Sequence, residues 1–468
     1  MILKYLLYLA RISACFFCLK ACPQDVQIPK VDGLWYGAVT LGAAELDIVL
    51  HIDGLSGLID FPSQEIFNIP VGSLTCTKEE VRFTFGGTSN SYIGFFNENY
   101  TEIKGKLYQP RSSNFLVLYR EKRTYIDLSH PQEPVFSYQE ENVQFENELE
   151  GITLAGTIFW PKGTIPLQIA ILIAGSGPHD RNQTIAGHKF FLVLADHLAQ
   201  KGIASLRFDK RGVNDSTGSY ENATTLDFVK DVMAANKYIK NRTEISSIGL
   251  IGHSEGGLVA AQVAAASPNI AFVVLLASPG IKGEELLYQQ ARAILTADGV
   301  SEEDMASDYN LRREIFSFLK EEPDINASYI PLDQMIEKYL TTECQENVSS
   351  CISFTPLNKK RMIKLLNTNW FRHFLNLDPI SYLKQITAPV LAINGERDLQ
   401  VSAEENLRAI EKGLKEGGNP NYTILSVPHL NHLLQTCKTG SIQEYAHIQE
   451  TISPIVLDAI SGWLLRLP

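Results

Sequence analysis

Two hydrophobic rhythms divide this chain. Apolar and polar residues alternate in short runs over residues 46–52, 81–85, 92–96, 102–108 and 115–119, with Gly54, Gly57, Gly86, Gly87 and Gly94 where turns or bulges would fall. Short alternating runs predict half-buried strands, and nothing here sustains the longer period of a helix. Residues 24–124 are therefore expected to form a small antiparallel β domain that packs or positions, with ligand binding the weaker alternative. Residues 125–140, which include Pro131 and Pro134, read as a linker.

The rhythm then changes. Residues 143–145 and 152–159 read as a hairpin, and 169–173, 204–208, 248–251, 272–276 and 390–393 are continuous apolar runs. Such runs mark strands covered on both faces, as in a parallel sheet. Amphipathic segments separate them. One opens at Thr224, which has capping-box spacing to Asp227, and its expected buried stripe is Leu226, Val229, Val232 and Met233. Strands alternating with helices predict a doubly wound, mostly parallel α/β sheet over residues 141–468. Between residues 284 and 374 the alternation gives way to charged helical sequence, an expected helical cap placed to cover a site.

Composition narrows the function classes. Of 468 residues 45% are hydrophobic and 20% charged, enough apolar material for a sizeable core. The net charge of −12 argues against a nucleic-acid surface, and a mean hydropathy of −0.04 against a multi-span membrane protein. Residues 1–22 differ from the rest: Lys4, an apolar run broken by Arg11, and small Ala21 read as a signal peptide, too short and interrupted for a membrane span. Export to the periplasm or the extracellular space is the expectation. Ile12-Ser13-Ala14-Cys15 and Leu19-Lys20-Ala21-Cys22 resemble a bacterial lipobox, each spoiled by a basic residue, which leaves a lipid anchor open. Cys15, Cys18 and Cys22 would leave with the leader. Cys344 and Cys351 either close a small disulfide loop or stay as free thiols, and no Cys-x-x-Cys remains to suggest structural zinc.

The strongest chemical signal is Gly252-His253-Ser254-Glu255-Gly256, set between a buried strand and a Gly/Ala-rich helix. A serine on such a sharp turn is thrust into the cleft, and flanking glycines let neighbouring backbone approach. A serine hydroxyl needs a base, and the base needs an acid to hold its tautomer. Asp398 follows the strand at 390–393, with Glu396 as its rival. His432 lies in Val427-Pro428-His429-Leu430-Asn431-His432, with His429 as its competitor; a His-x-x-His metal pair is the minor alternative, so no metal is expected. The oxyanion donors expected are the backbone N–H groups of Glu255 and of Ser176, in Ala174-Gly175-Ser176-Gly177-Pro178. A phosphate loop is the rival reading of Gly175-x-Gly177, weakened by the missing third glycine and Gly-Lys-Ser/Thr. Trp370, Phe371 and Phe374 cluster where the cap rejoins the sheet and are candidates for a substrate pocket, with packing under the cap as the alternative.

These residues carry a resemblance. Ala174-Gly175-Ser176-Gly177-Pro178-His179-Asp180-Arg181, Leu206-Arg207-Phe208-Asp209-Lys210-Arg211-Gly212, the serine motif, residues 389–398, Leu430-Asn431-His432, Trp370-Phe371-Arg372 and Asp378-Pro379 together resemble bacterial serine esterases of the α/β-hydrolase superfamily, the serine aminopeptidase-like hydrolases. Even the preceding β domain is similar to the N-terminal extension of exported members. The resemblance implies hydrolysis of small-molecule carboxylic esters through an acyl-enzyme, with no metal or cofactor. One departure is Asn214, where a second glycine is usual after Asp-Lys-Arg-Gly; asparagine tolerates the left-handed backbone such a loop would need. Thioesterase and aminopeptidase activity would use the same three residues. A binding protein with a relic hydrolase domain is the reading of a different class, opposed by the intact Ser254, Asp398 and His432. Oligomeric state stays open.

Overall fold

The computed structural model describes residues 31–41, 44–54, 56–61, 66–85, 91–109, 112–121, 138–162, 167–322, 324–342 and 356–467. The leader, the expected linker up to residue 137, and Cys344 with Cys351 lie outside the described residues.

Strands β1 (Gly33–Leu41), β2 (Ala44–Asp53), β3 (Ser56–Phe61) and β4 (Ile66–Cys76) are followed by β5 (Glu80–Phe85), β6 (Ser91–Phe96), β7 (Glu102–Gln109) and β8 (Ser112–Tyr119). They pair antiparallel in chain order, and β8 returns to β1 through Tyr36↔Tyr119 and Gly37↔Leu118, closing a barrel. Closure goes beyond the small β domain expected, because the β1–β8 pairing joins opposite ends of the segment. Every second residue turns inward, and Trp35, Leu50, Ile59, Phe83, Tyr92, Ile103 and Leu118 fill the interior. Tyr92 makes the tightest fit. Its hydroxyl donates to Leu116 O at 2.9 Å, and its ring occupies space left by Gly94 and Gly105; a Cβ at Gly105 would stand 2.6 Å from Tyr92 Cζ.

The second domain starts with β9 (Tyr138–Asn147) and β10 (Ile152–Pro161), a hairpin beginning inside the expected linker and ahead of residue 141. Tyr138 explains the earlier start: it is buried and stacks on Phe159 with centroids 4.3 Å apart. Next come β11 (Leu167–Ile173), the small hairpin β12 (Thr184–Ile185) and β13 (His188–Lys189), α1 (Phe190–Gln200), β14 (Ala204–Phe208) and α2 (Thr225–Lys240). Then follow β15 (Ile245–His253), α3 (Glu255–Ala266) and β16 (Ile270–Leu276). The cap is α4 (Gly283–Ala297), α5 (Glu302–Glu321), α6 (Ile325–Thr342), α7 (Pro356–Leu366) and α8 (Asn369–Asn376). The chain finishes with α9 (Ile380–Leu383), β17 (Val390–Gly395), α10 (Ala403–Glu416), β18 (Tyr422–Val427) and α11 (Pro454–Leu464).

The large sheet has the order β18-β17-β16-β15-β11-β14-β10-β9, with β10 antiparallel to both neighbours and the pairings from β14 to β18 parallel. Both faces are buried, as the continuous apolar runs require. Ile169, Ile171 and Ile173 join α2, α3 and α10 on one side, while Ala170 and Leu172 join α1 and α11 on the other. The cap has a core of its own around Leu311, Phe316, Ile336 and Phe371.

One expected face is corrected. The capping box at Thr224 and Asp227 forms, but Leu226 and Met233 are exposed, and the buried face of α2 runs through Phe228, Asp231, Val232, Ala235 and Ile239. Asp231 turns the helix: it accepts two hydrogen bonds from Arg211 and one from Asn147, each 2.8 Å, so a carboxylate takes an inward position. A buried, paired carboxylate outranks two exposed methylene-rich side chains in setting the face.

Tyr92→Phe should lower the barrel's stability by about 1–3 kcal/mol, since Leu116 C=O loses its donor in a dry interior. Urea denaturation followed by near-ultraviolet circular dichroism measures this; an unchanged midpoint would contradict it.

Candidate active site

The serine turn is built by backbone contact. Ser254 has φ 54° and ψ −123°, a conformation that costs an ordinary residue about 1–3 kcal/mol. Three glycines permit it. A Cβ at Gly252 would stand 2.1 Å from Gly256 O, one at Gly256 2.0 Å from Ile173 O, and one at Gly257 2.3 Å from Ser278 Oγ. Helix α3 therefore backs directly onto β11 and β15. Ser254 N donates to Leu276 O at 2.8 Å, fixing the turn to the next strand. The Ser254 side chain is half-buried at the N-terminus of α3, where unpaired amides concentrate positive potential.

Asp398 and His432 meet across two loops. Gly395, at the end of β17, lies so close to Leu430 that a Cβ would be 2.2 Å from its carbonyl oxygen, and Arg397 N donates to that same oxygen at 2.9 Å. Asp398 Oδ1 accepts from Gln400 N and Val401 N, both 2.8 Å, leaving Oδ2 to accept from His432 Nδ1 at 2.7 Å. A proton on Nδ1 leaves Nε2 as the free base. Asn431, fully buried, accepts from Leu433 N and Gln435 N at 3.0 Å and stiffens the loop around the histidine. The rivals are elsewhere: Glu396 and His429 are both exposed, and His429 has φ 65°. Ser254 Oγ has no hydrogen-bond partner among the described residues; a serine–base contact commonly tightens only when substrate arrives.

A buried chain of hydrogen bonds ties the three segments together. Gly175 N donates to Gln183 Oε1 at 2.7 Å, Gln183 Nε2 to His253 Nδ1 at 2.9 Å, and His253 Nε2 to His432 O at 2.9 Å. The amide oxygen is used by Gly175, so the glutamine must donate onward, and His253 is the neutral Nε2–H tautomer. The 174–178 loop thereby lies against the serine: a Cβ at Gly175 would be 3.2 Å from Ser254 Cβ. Ser176 N, in this loop, and Glu255 N, at the start of α3, have no partner among the described residues. Gln183 had no sequence signal. Asn214 has φ 45°, the left-handed conformation expected in place of glycine.

The eight strands of the large sheet, numbered in chain order without the β12–β13 hairpin, run 1-2-4-3-5-6-7-8 with only the second reversed, and the serine turn sits at the end of the fifth. A family described as "Serine aminopeptidase, S33" matches residues 187–329, which include Ser254. This strand order, with the serine turn after the fifth strand, is that of the α/β-hydrolase fold. Esterase EstD of Thermotoga maritima is 27% identical over 314 residues, 67% of this chain and 66% of that protein, just under two thirds of its length. Among solved structures, the esterase Pf2001 of Pyrococcus furiosus is 16% identical with a TM-score of 0.43, covering 71% of this chain and 92% of its own. The hypothetical protein PA2218 of Pseudomonas aeruginosa is 20% identical with a TM-score of 0.43, covering 74% and 99% respectively.

The cap meets the serine turn at Glu255. Trp370 is half-buried, stacks on Phe374 at 5.0 Å and donates from Nε1 to Glu255 Oε1 at 2.7 Å. Phe374 packs with Leu258, Leu286 and Val401 in the seam between cap and sheet, and Phe371 belongs to the cap core beside Phe316. Both phenylalanines are 5% exposed, so their place is packing, and only Trp370 of the three keeps partial access. Arg372 donates to Leu319 O at 2.8 Å and to Glu322 O and Ser328 Oγ, tying α8 to the end of α5 and the start of α6. Clefts of about 480 and 690 Å³ lie between α4 and α5 and between α5 and α6; neither Ser254 nor its partners line them.

Burial holds His253 well below the ordinary imidazole pKa, with His432 adding to the effect. His179, which bonds Ser176 O at 2.7 Å, is pushed down to about 4, first by burial and then by Lys210. Unfolded, both would take up protons below about pH 6.5. The unfolded chain then binds more protons than the folded one, so stability is complete above that pH and is lost as pH falls toward 4. Melting temperature should drop across this window, and His179→Gln, which keeps a donor for Ser176 O, should flatten the slope. An unchanged slope in the variant would assign the acid sensitivity to other groups.

Proposed function

We propose that the protein is a serine esterase that hydrolyses small carboxylic esters through an acyl-enzyme, with Ser254 as nucleophile, His432 as general base and Asp398 as its acid. The observation that carries this reading is the 2.7 Å His432–Asp398 pair, tied through His432 O to His253, the residue before a serine held at φ 54° on a strand–helix turn. His432 Nε2 takes the Ser254 proton as Oγ attacks the carbonyl carbon. The Glu255 and Ser176 N–H groups receive the oxyanion, and His432 returns the proton to the departing alkoxide. Water repeats the sequence to release the acid. The relative named as an esterase supports esters as the substrate class. The family description favours a second reading, peptide or other amide hydrolysis by the same three residues. The leader-like residues 1–22 support export; a protein found only in the cytoplasm and still carrying residues 1–22 would count against it.

Ser254→Ala should abolish both fluorophosphonate labelling and ester turnover at wild-type melting temperature. His432→Ala should do nearly the same, and Asp398→Asn should lose at least about a thousandfold in kcat. Retained activity in His432→Ala, with loss in His429→Ala, would reassign the base. Matched ester and amide substrates, run as an acyl-length series, separate the two substrate readings.

A further inference from the structure

Lys210 is a charge where the fold has little water to offer. The residue is 5% exposed, and its Nζ lies 3.9 Å from the centroid of Phe228. Burial lowers its pKa, opposed chiefly by Glu255. Its two polar contacts are specific: Nζ donates to Gly175 O at 2.6 Å and stands 3.5 Å from Glu255 Oε2. One ammonium thus touches both segments whose backbone amides would receive the oxyanion.

The contact with Gly175 O has a geometric consequence. Gly175 C=O and Ser176 N–H belong to one planar trans peptide unit, so they point in opposite directions. Holding the oxygen against Lys210 aims the N–H away from it. Without that hold the plane could rotate, because one of the two torsions that turn it is ψ of Gly175, a residue with no Cβ to restrict it. The neighbouring groups are occupied: Gly175 N by Gln183, Gly177 N by the Tyr220 hydroxyl at 3.0 Å, and Ser176 O by His179. Ser176 N–H is the group left for a ligand. On the other segment, Glu255 Oε1 accepts from Thr225 Oγ1 at 2.8 Å and from Trp370, while Oε2 faces Lys210.

We infer that Lys210 is a positioning residue for hydrolysis: it fixes the Gly175–Ser176 peptide plane so that Ser176 N–H faces the developing oxyanion, and through Glu255 it holds the second donor in register. The inference rests on Ser254 being the nucleophile. It assigns Lys210 no contact with substrate.

The test compares Lys210→Met with the double variant Lys210→Met/Glu255→Gln, which removes both buried charges together and keeps an acceptor for Thr225 and Trp370. For a p-nitrophenyl ester, kcat should fall about 10- to 100-fold with KM changed by less than about threefold, a part of what losing an oxyanion donor costs. Affinity for a trifluoromethyl ketone, which forms an oxyanion on the serine, should fall in parallel. Affinity for an ether analogue of the ester, which cannot form one, should hold. A double variant with wild-type kcat and ketone affinity would overturn the inference, as would equal losses for ketone and ether. Failure of the wild-type protein to react with fluorophosphonate or to turn over any ester would instead overturn the reading of Ser254.

Discussion

Everything around the serine turn depends on how closely α3 approaches the strands beneath it. Side chains of ordinary size keep a helix and a sheet well apart, yet here backbone meets backbone at Gly252 and Gly256, and Gly257 lies against the Ser278 side chain. That approach lets Ser254 hold a left-handed conformation and puts the first amides of α3 beside its hydroxyl. A methyl group at any of the three would push α3 outward and carry the serine and its neighbouring donors with it. The strain stored at Ser254 is offset by the burial of α3 against β11, β15 and β16, where Val259, Ala260 and Val263 are almost wholly enclosed.

Behind Ser254, Asp398 and His432 lies a framework of buried polar side chains. Gln183 and His253 link Gly175 to the carbonyl of His432, Arg211 and Asp231 anchor α2, and Lys210 joins the loop at Gly175 to Glu255. Each would be costly in isolation, because burying an unpaired polar group or charge forfeits its hydration. Paired as they are, they have few alternative arrangements, so the loops they join cannot drift independently. Trp370 extends the same framework into the cap by sharing Glu255, so movement of α8 bears on the residue that follows Ser254.

Much of the scaffold was legible before folding, for reasons that are local. Continuous apolar runs at 204–208 and 272–276 fall in β14 and β16, the capping box opens α2, and Ser254, Asp398 and His432 sit at the turns their motifs imply. Asn214 reads correctly as a left-handed position from the glycine that the resemblance expects there and from asparagine's tolerance of that backbone. What failed was long-range. Closure of the barrel depends on β1 meeting β8, the inward face of α2 on an arginine from another loop, and the burial of Phe371 on α5.

The sequence by itself determined the two-domain layout, the parallel sheet and the candidates for nucleophilic chemistry, because hydrophobic period, turn chemistry and a serine between glycines are all local properties. Only the tertiary structure decided which histidine holds Asp398, which of three aromatic residues keeps access beside the elbow, and that Gln183 and Lys210 belong to the site at all. Those choices rest on directional hydrogen bonds between segments far apart in the chain. Such bonds have neither period nor spacing, and they exist only once the segments have been brought within 3 Å of each other.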